Sequence, residues 1–207
     1  MKNYVVESYE NYREEERLST NNARRIEFIT TVRALDELIV GKKKILDCAA
    51  GTGVYAFYLA DSGHEVTATD ITPRHIEVIK EIVKDKTYEM DARVLDATDM
   101  SVFEDETFDV VLNMGPFYHL INEEDRKKCF WTDTYYSTDE EMENLYREYG
   151  MEVIDHFAQD GATPHFSKKV DEWNGEQFKV WCDYHYSICR QKPLLGASNH
   201  VVIVGRK

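Results

Sequence analysis

The sequence predicts an α/β fold: a doubly wound, mostly parallel sheet with helices on both faces. Three observations predict it. Short apolar runs alternate with stretches of helical periodicity from about residue 41 onward. The first run ends in a glycine-rich turn, Ala49-Ala50-Gly51-Thr52-Gly53, that opens a helix. Polar residues stand where successive runs end, at Asp70, Asp96 and Asn113. Such alternation implies right-handed βαβ crossovers, and parallel sheets of this kind bind ligands at the carboxyl ends of their strands.

The first forty residues read as helix. Glu14 to Leu18 is charged and helix-favouring, and Phe28, Ile29, Val32, Leu35, Leu38 and Ile39 recur at helical spacing. After Gly41 and three lysines, Ile45 to Ala50 is a strand. The next helix presents Val54, Phe57, Tyr58 and Leu59 and stops at Asp61-Ser62-Gly63. Glu65 to Thr69 alternates as a strand and ends on Asp70. Thr72 is placed to cap a helix with Pro73 at its first position, and its apolar face is Ile76, Ile79, Ile82 and Val83. A short strand at Ala92 to Leu95 and a turn at Asp96 to Met100 follow. Phe108 to Leu112 reads as a buried strand that ends at Asn113-Met114-Gly115-Pro116.

Asn122 to Cys129 starts another helix, and Phe130 to Tyr136 follows at once. Against the pattern of the family that the motifs quoted below resemble, the fifth strand is either missing or substituted by Phe130 to Tyr136, as if a segment had been excised near Cys129. Thr138-Asp139-Glu140-Glu141 is a capping-box start, and Met142, Leu145, Tyr146 and Tyr149 carry that helix to Gly150. Glu152 to Phe157 and His200 to Val204 read as strands; the family resemblance stated below implies that they are the last two of the sheet, with the final one antiparallel. Between them Thr163 to Ser198 is far longer than a hairpin needs and carries a helix through Phe178, Trp181, His185 and Ile188. A sheet lacking an internal strand exposes backbone that a second copy could pair, so a homodimer is one expectation.

Composition narrows the function classes. With 43% hydrophobic and 31% charged residues in 207, the chain is ordinary globular material for one domain, spanning 1-207. No apolar stretch approaches the roughly 20 residues of a membrane span. The polar N-terminus does not read as a signal peptide. Cys48, Cys129, Cys182 and Cys189 are scattered with no CxxC pair, which fits free thiols and a cytoplasmic location. A net charge of −14 argues against a nucleic-acid partner, and the basic runs at Lys42 to Lys44 and Arg126 to Lys128 are short.

The glycine turn has a physical logic. Small residues let backbone N–H groups approach a ligand, and the following helix aims its positive end there. A carboxylate at the end of the second strand, Asp70, can accept hydrogen bonds from ribose hydroxyls, and Asp96 could take an exocyclic adenine N–H. The bland readings are a helix-entry residue for Asp70 and a turn residue for Asp96. The turn lacks the spaced third glycine of a dinucleotide fingerprint, and no P-loop is present. The natural ligand is then one with adenosine but no phosphates.

The segment ILDCAAGTGVYAFYLADSGHEVTATDIT resembles motifs I and II of the class I, Rossmann-like S-adenosylmethionine-dependent methyltransferases. VLDATDM followed by FDVVLNMGPFYHL resembles that family's third and fourth motifs, so the similarity covers residues 40 to 125. The N-terminal YENYREEERL resembles the family's helical cap. The resemblance implies S-adenosylmethionine as cofactor, S-adenosylhomocysteine as product and a small-molecule acceptor. It divides the chain into a cap at 1-40, a cofactor-binding core at 41-125 and a lid-like insertion at 160-198. By matching position, Asp47, Ala49, Gly51, Thr52 and Gly53 would line the methionine end. Asp70 and Ile71 would meet the ribose, Asp96 and Ala97 the adenine, and Asn113 would border cofactor and substrate.

Methyl transfer from a sulfonium relies on positioning and desolvation, and a dedicated base is optional. In Gly115 to His119, His119 could accept a proton near neutral pH and Tyr118 could orient an acceptor; the alternative is that His119 packs or caps a helix. Tyr12, Tyr118, Tyr135 and Tyr136 are the candidate acceptor-contacting aromatics, set against the alternative that aromatics at helical spacing are core. Cys182, His185 and Cys189 share one helix but lack a clear fourth ligand, so no metal site is assigned. Two other readings stand beside the enzyme: a shortened, inactive S-adenosylmethionine-binding relative acting as sensor or assembly partner, and an NAD-dependent oxidoreductase.

Overall fold

The computed structural model describes residues 6–9, 12–115, 127–129, 132–134 and 137–207. In chain order its elements begin with α1 (Asn22–Leu38), β1 (Lys44–Cys48), α2 (Val54–Asp61), β2 (Glu65–Asp70) and α3 (Pro73–Val83). There follow β3 (Asp91–Val94), β4 (Val110–Asn113), β5 (Lys127–Cys129), β6 (Thr132–Thr134), α4 (Asp139–Glu148) and β7 (Glu152–Ala158). The last are α5 (Ser167–Asp171), α6 (Gly175–Ile188), α7 (Lys192–Leu195) and β8 (Val201–Arg206), with 3-10 turns at Glu14–Glu16 and Thr163–Phe166. None of the described helices is long and apolar enough to cross a membrane. The chain forms two compact units: Met1–Glu15 with Ile39–Tyr136, and Glu16–Leu38 with Ser137–Lys207.

The first unit is the α/β core. Its four-stranded sheet has the order β3-β2-β1-β4, and every pairing is parallel. β1 is flanked on both sides, so Ile45, Leu46, Asp47 and Cys48 are all buried, as a central parallel strand requires. β2 runs from Glu65 to Asp70 as its alternation predicts. α3 begins at Pro73 behind Thr72, as predicted, although the Thr72 side chain makes no capping hydrogen bond. Its fully buried apolar residues are Ile76 and Ile79, while Ile82 is exposed and a histidine, His75, completes the inner face.

The structure corrects several expectations. In α2 the buried residues are Tyr55, Ala56, Leu59 and Ala60, not the Val54, Phe57, Tyr58 set. That helix is apolar nearly all round, so periodicity has little power to choose its inner face. β4 is not a buried strand: it stands at the end of the sheet order, Leu112 is buried and Val111 is exposed. Lys127–Cys129 is strand, not the helix expected from its charged neighbours, and it pairs antiparallel with β6. Helix propensity is a weak prior that a ladder readily overrides. β6 falls within the Phe130 to Tyr136 stretch expected to substitute for a fifth strand, and it pairs with β5 rather than with the parallel sheet.

The second unit is built on α1. Ile26 packs with Val170, Phe178 and Cys182, and Ala34 packs with Phe157, Ala158, Tyr186, Cys189 and Leu195. The buried face of α1 differs from the expected one, since it includes Glu27, Thr30 and Thr31. Thr31 and Glu27 are buried with their polar groups partnered. Thr31 donates to the Glu27 carbonyl at 2.7 Å and accepts from Gln159 Nε2 at 2.6 Å, while Arg17 holds Glu27 with two bonds of 2.8 and 2.9 Å. The Glu14 to Leu18 segment is a 3-10 turn rather than the start of a helix. β7 and β8 pair antiparallel, but in a sheet of their own rather than as the last strands of the parallel sheet, with an irregularity between Val153 and Asp155. Asp160 then receives hydrogen bonds from Ser198 Oγ and the backbone N–H of Asn199 and His200, and His200 Nδ1 reaches its other oxygen at 2.8 Å. α4 starts in the predicted capping box, with both the Thr138 and the Glu141 bonds made.

Candidate functional site

β1 and β2 lie side by side and end together, so their terminal residues and the glycine turn meet at one end of the parallel sheet. The turn owes its path to residues in the left-handed region: Ala49 at φ 60°, Gly51 at φ 55° and Gly53 at φ 85°. Gly53 is the hinge into α2. A Cβ there would stand 3.0 Å from Ile79 Cγ1 and 3.2 Å from Phe57 Cε2, so a side chain at this position would crowd both, and its φ already favours glycine. Ala50 N–H donates to the Thr69 carbonyl at 2.8 Å, tying the turn to the end of β2.

Asp70 makes the second tie. Its Oδ2 accepts from Gly51 N–H at 2.9 Å, and its Oδ1 accepts from Thr72 N–H at 2.8 Å and lies 3.2 Å from His75 Nδ1. The residue is 6% exposed. Beside it Asp47 is 2% exposed, and one of its oxygens, Oδ2, has no hydrogen-bond partner among the described residues. Burial pushes the Asp47 carboxyl up to about 7, the Asp70 charge adds to the rise, and a hydrogen bond from the Ala56 backbone opposes it. Thr52 Oγ1 and His75 Nε2 are likewise buried without a partner among the described residues.

Residues 12 to 15 lie against this end. Arg74, on the first turn of α3, donates to the Tyr12 carbonyl at 3.2 Å and to Glu15 Oε1 at 2.8 Å. Glu14 Cγ sits 3.3 Å from where a Cβ on Gly51 would be. Tyr9 meets the His75 ring edge-on, with centroids 5.6 Å apart.

The structure thus brings Asp47, Ala49, Gly51, Thr52, Gly53, Asp70 and Ile71 together across two adjacent strand ends. Asp96 and Ala97 follow β3 and are half-buried. The Asp96 Oδ1 accepts from Thr98 N–H at 2.9 Å and from Thr98 Oγ at 2.7 Å, which is the turn role weighed for it above. Asn113 ends β4 in register with Cys48 and is exposed. Tyr12 is half-buried. Tyr118, His119, Tyr135 and Tyr136 lie outside the described residues. Cys182, His185 and Cys189 serve packing and local bonds: His185 Nε2 donates toward the Ala158 and Gln159 carbonyls, and Cys189 Sγ donates to the Tyr186 carbonyl. Sequence reasoning missed Arg74 and His75. Their signal is the place both hold, in the first helical turn after Asp70.

The donor set has a definite chemistry. Two buried carboxyl groups, a buried hydroxyl and a glycine cradle suit a ligand rich in hydroxyl and cationic N–H donors. Arg74 is committed to Glu15 and the Tyr12 carbonyl, so the cradle does not offer it to a phosphate.

Residues 45–132, under half of the chain, match the family described as methyltransferase domain. The matched segment carries β1 to β4 and the glycine turn. No curated protein matches the sequence. Among solved structures, the PH0226 protein of Pyrococcus horikoshii OT3 is 35% identical over 49% of this chain and 43% of that one, with a TM-score of 0.39. A SAM-dependent methyltransferase of Methanosarcina mazei is 24% identical over 38% of this chain and 39% of that one, with a TM-score of 0.35. The tRNA (uracil-54, C5)-methyltransferase of Pyrococcus abyssi, solved with S-adenosyl-L-homocysteine, is 30% identical over 39% of this chain and 20% of that one, with a TM-score of 0.34. The matched stretch spans less than half the length of each of these proteins. TM-scores this low carry no functional argument.

Proposed function

We propose that this chain binds S-adenosylmethionine at the carboxyl ends of β1 and β2 and directs methyl transfer to a small-molecule acceptor. The observation that carries the reading is the Asp70 carboxylate, tied across the glycine turn to Gly51 N–H beside buried Asp47, within the segment that matches a methyltransferase domain. The cofactor supplies an electrophilic methyl group on a sulfonium.

The chain's own residues bind and orient. Asp70 Oδ2 receives one hydrogen bond, from Gly51, and keeps a lone pair for a ribose hydroxyl. Thr52 Oγ1 and Asp47 Oδ2, both buried without partners among the described residues, offer polar contacts to the methionine portion. Asp96 and Ala97 are assigned to the adenine side, and Asn113 to the border between cofactor and acceptor. Residues 12 to 15, held by Arg74, cover the turn and keep water from it, which strengthens every charge contact inside. His119 is assigned as proton acceptor where the acceptor needs one, with Tyr118, Tyr12, Tyr135 and Tyr136 contacting the acceptor. The charge of −14 supports a small acceptor over a polyanion, and the free buried thiols support a cytoplasmic setting.

The test is isothermal titration of the full chain with S-adenosylhomocysteine. Micromolar binding is expected, with loss in Asp70→Ala. Absence of binding to the intact protein overturns the reading, and binding of a nicotinamide dinucleotide instead would replace it with the oxidoreductase one.

A further inference from the structure

We propose that His75 is a positioning residue for the cofactor turn: its Nδ1 holds one oxygen of Asp70 and thereby aims the other at Gly51 N–H. The inference rests on the cofactor reading above for its consequence in binding, and on geometry alone for the positioning itself. Asp70 is the last residue of β2, and its carboxylate bridges three segments. Oδ2 meets Gly51 of the turn, while Oδ1 meets Thr72 N–H and His75 Nδ1. The Thr72 bond comes from two residues on and fixes Oδ1 locally. It leaves the carboxylate plane free to swing about that anchor. The imidazole, delivered by the first turn of α3, is the second point that fixes the plane.

The tautomer follows from the partner. A carboxylate accepts, so Nδ1 carries the proton and donates it, and in the neutral ring Nε2 is left an acceptor. Nε2 is buried with no partner among the described residues, and the residue is 2% exposed beside fully buried Ile76 and Ile79. Burying a ring nitrogen unpaired is unfavourable, and an apolar side chain would fill the same place without that penalty. What the histidine adds there is the bond to Asp70. It acts through Asp70 rather than on the ligand, as outer-shell partners orient the groups that do the binding.

Three variants separate positioning from packing. In His75→Asn the amide nitrogen is bonded to Cγ, as Nδ1 is; in His75→Gln it stands one bond further out; His75→Leu fills the space with no donor. Two readouts are taken on the full chain: hydrogen exchange of the Gly51 amide without cofactor, and titration with S-adenosylhomocysteine. His75→Leu is expected to speed Gly51 exchange and weaken binding about tenfold, the effect of one hydrogen bond to a charged group. His75→Asn is expected to restore both, and His75→Gln neither. Unchanged Gly51 exchange in all three, or Asn behaving as Leu, overturns the positioning role. If exchange follows the expected pattern while the intact protein fails to bind S-adenosylhomocysteine, the positioning stands and the cofactor reading falls.

Discussion

Asp47 shows how far burial beside a second carboxylate can change a side chain. Its carboxyl rises from an ordinary value of 3.8 to about 7, because removal from water disfavours the charge and the Asp70 carboxylate repels it. The raised value fixes a sign. Between about pH 4 and pH 7 the folded chain keeps a proton that the unfolded chain has released, so this group lowers stability as pH rises through that window. Asp47→Asn removes the effect. Urea unfolding should show the intact protein losing stability between about pH 4 and pH 7, with the variant ahead at the upper end by roughly 2–4 kcal/mol. A variant that tracks the intact protein across this range would show that Asp47 is not the titrating group. At this scale the strand-end carboxylates were legible in the sequence, because a polar residue closing an apolar strand stands out. His75 was not. Its meaning depends on a helix turn folding back onto Asp70, and a lone histidine in a helical pattern does not announce a partner.

Elements divide by how local their causes are. The α4 capping box was readable at Thr138 and Glu141 because both bonds close within four residues. The inner faces of α1 and α2 were not, since Thr31 is buried against Gln159, far along the chain, Glu27 is buried against Arg17 outside the helix, and α2 is apolar on most sides. The turn into α2 is local in origin and long-range in consequence. Gly53 has a positive φ of 85°, which strains any side chain, and a Cβ there would crowd Ile79 at 3.0 Å. Gly53→Ala should therefore destabilise the fold by about 1–3 kcal/mol through strain and crowding. A denaturation midpoint equal to that of the intact protein would mean that the turn relaxes freely.

For the whole molecule, charge and pairing set the terms. A net charge of −14 on 207 residues means that compaction works against self-repulsion. Raising NaCl from about 0.05 M to about 0.5 M shortens the Debye length severalfold and should raise the thermal midpoint. A lower midpoint in salt would show instead that ion pairs such as Arg74–Glu15 and Lys86–Asp61 outweigh the repulsion. The second unit has its own charged clasp. Burial works against both ions of the Asp160–His200 pair, yet His200 holds the Asp160 carboxyl below its ordinary value, and Asp160 holds the imidazole above its own.

The sequence by itself determined the order of strands and helices from β1 to β4, the parallel sheet, the glycine turn and the α4 cap. Each of these follows from periodicity, turn chemistry or a bond closed within a few residues, which covalent spacing already imposes. The tertiary structure decided which polar groups are buried together. The Asp70–Gly51 tie spans 19 positions and the Asp160–His200 clasp spans 40. Such pairs exist because packing brings distant segments into one dry place, where an unpaired polar group is too unfavourable to leave.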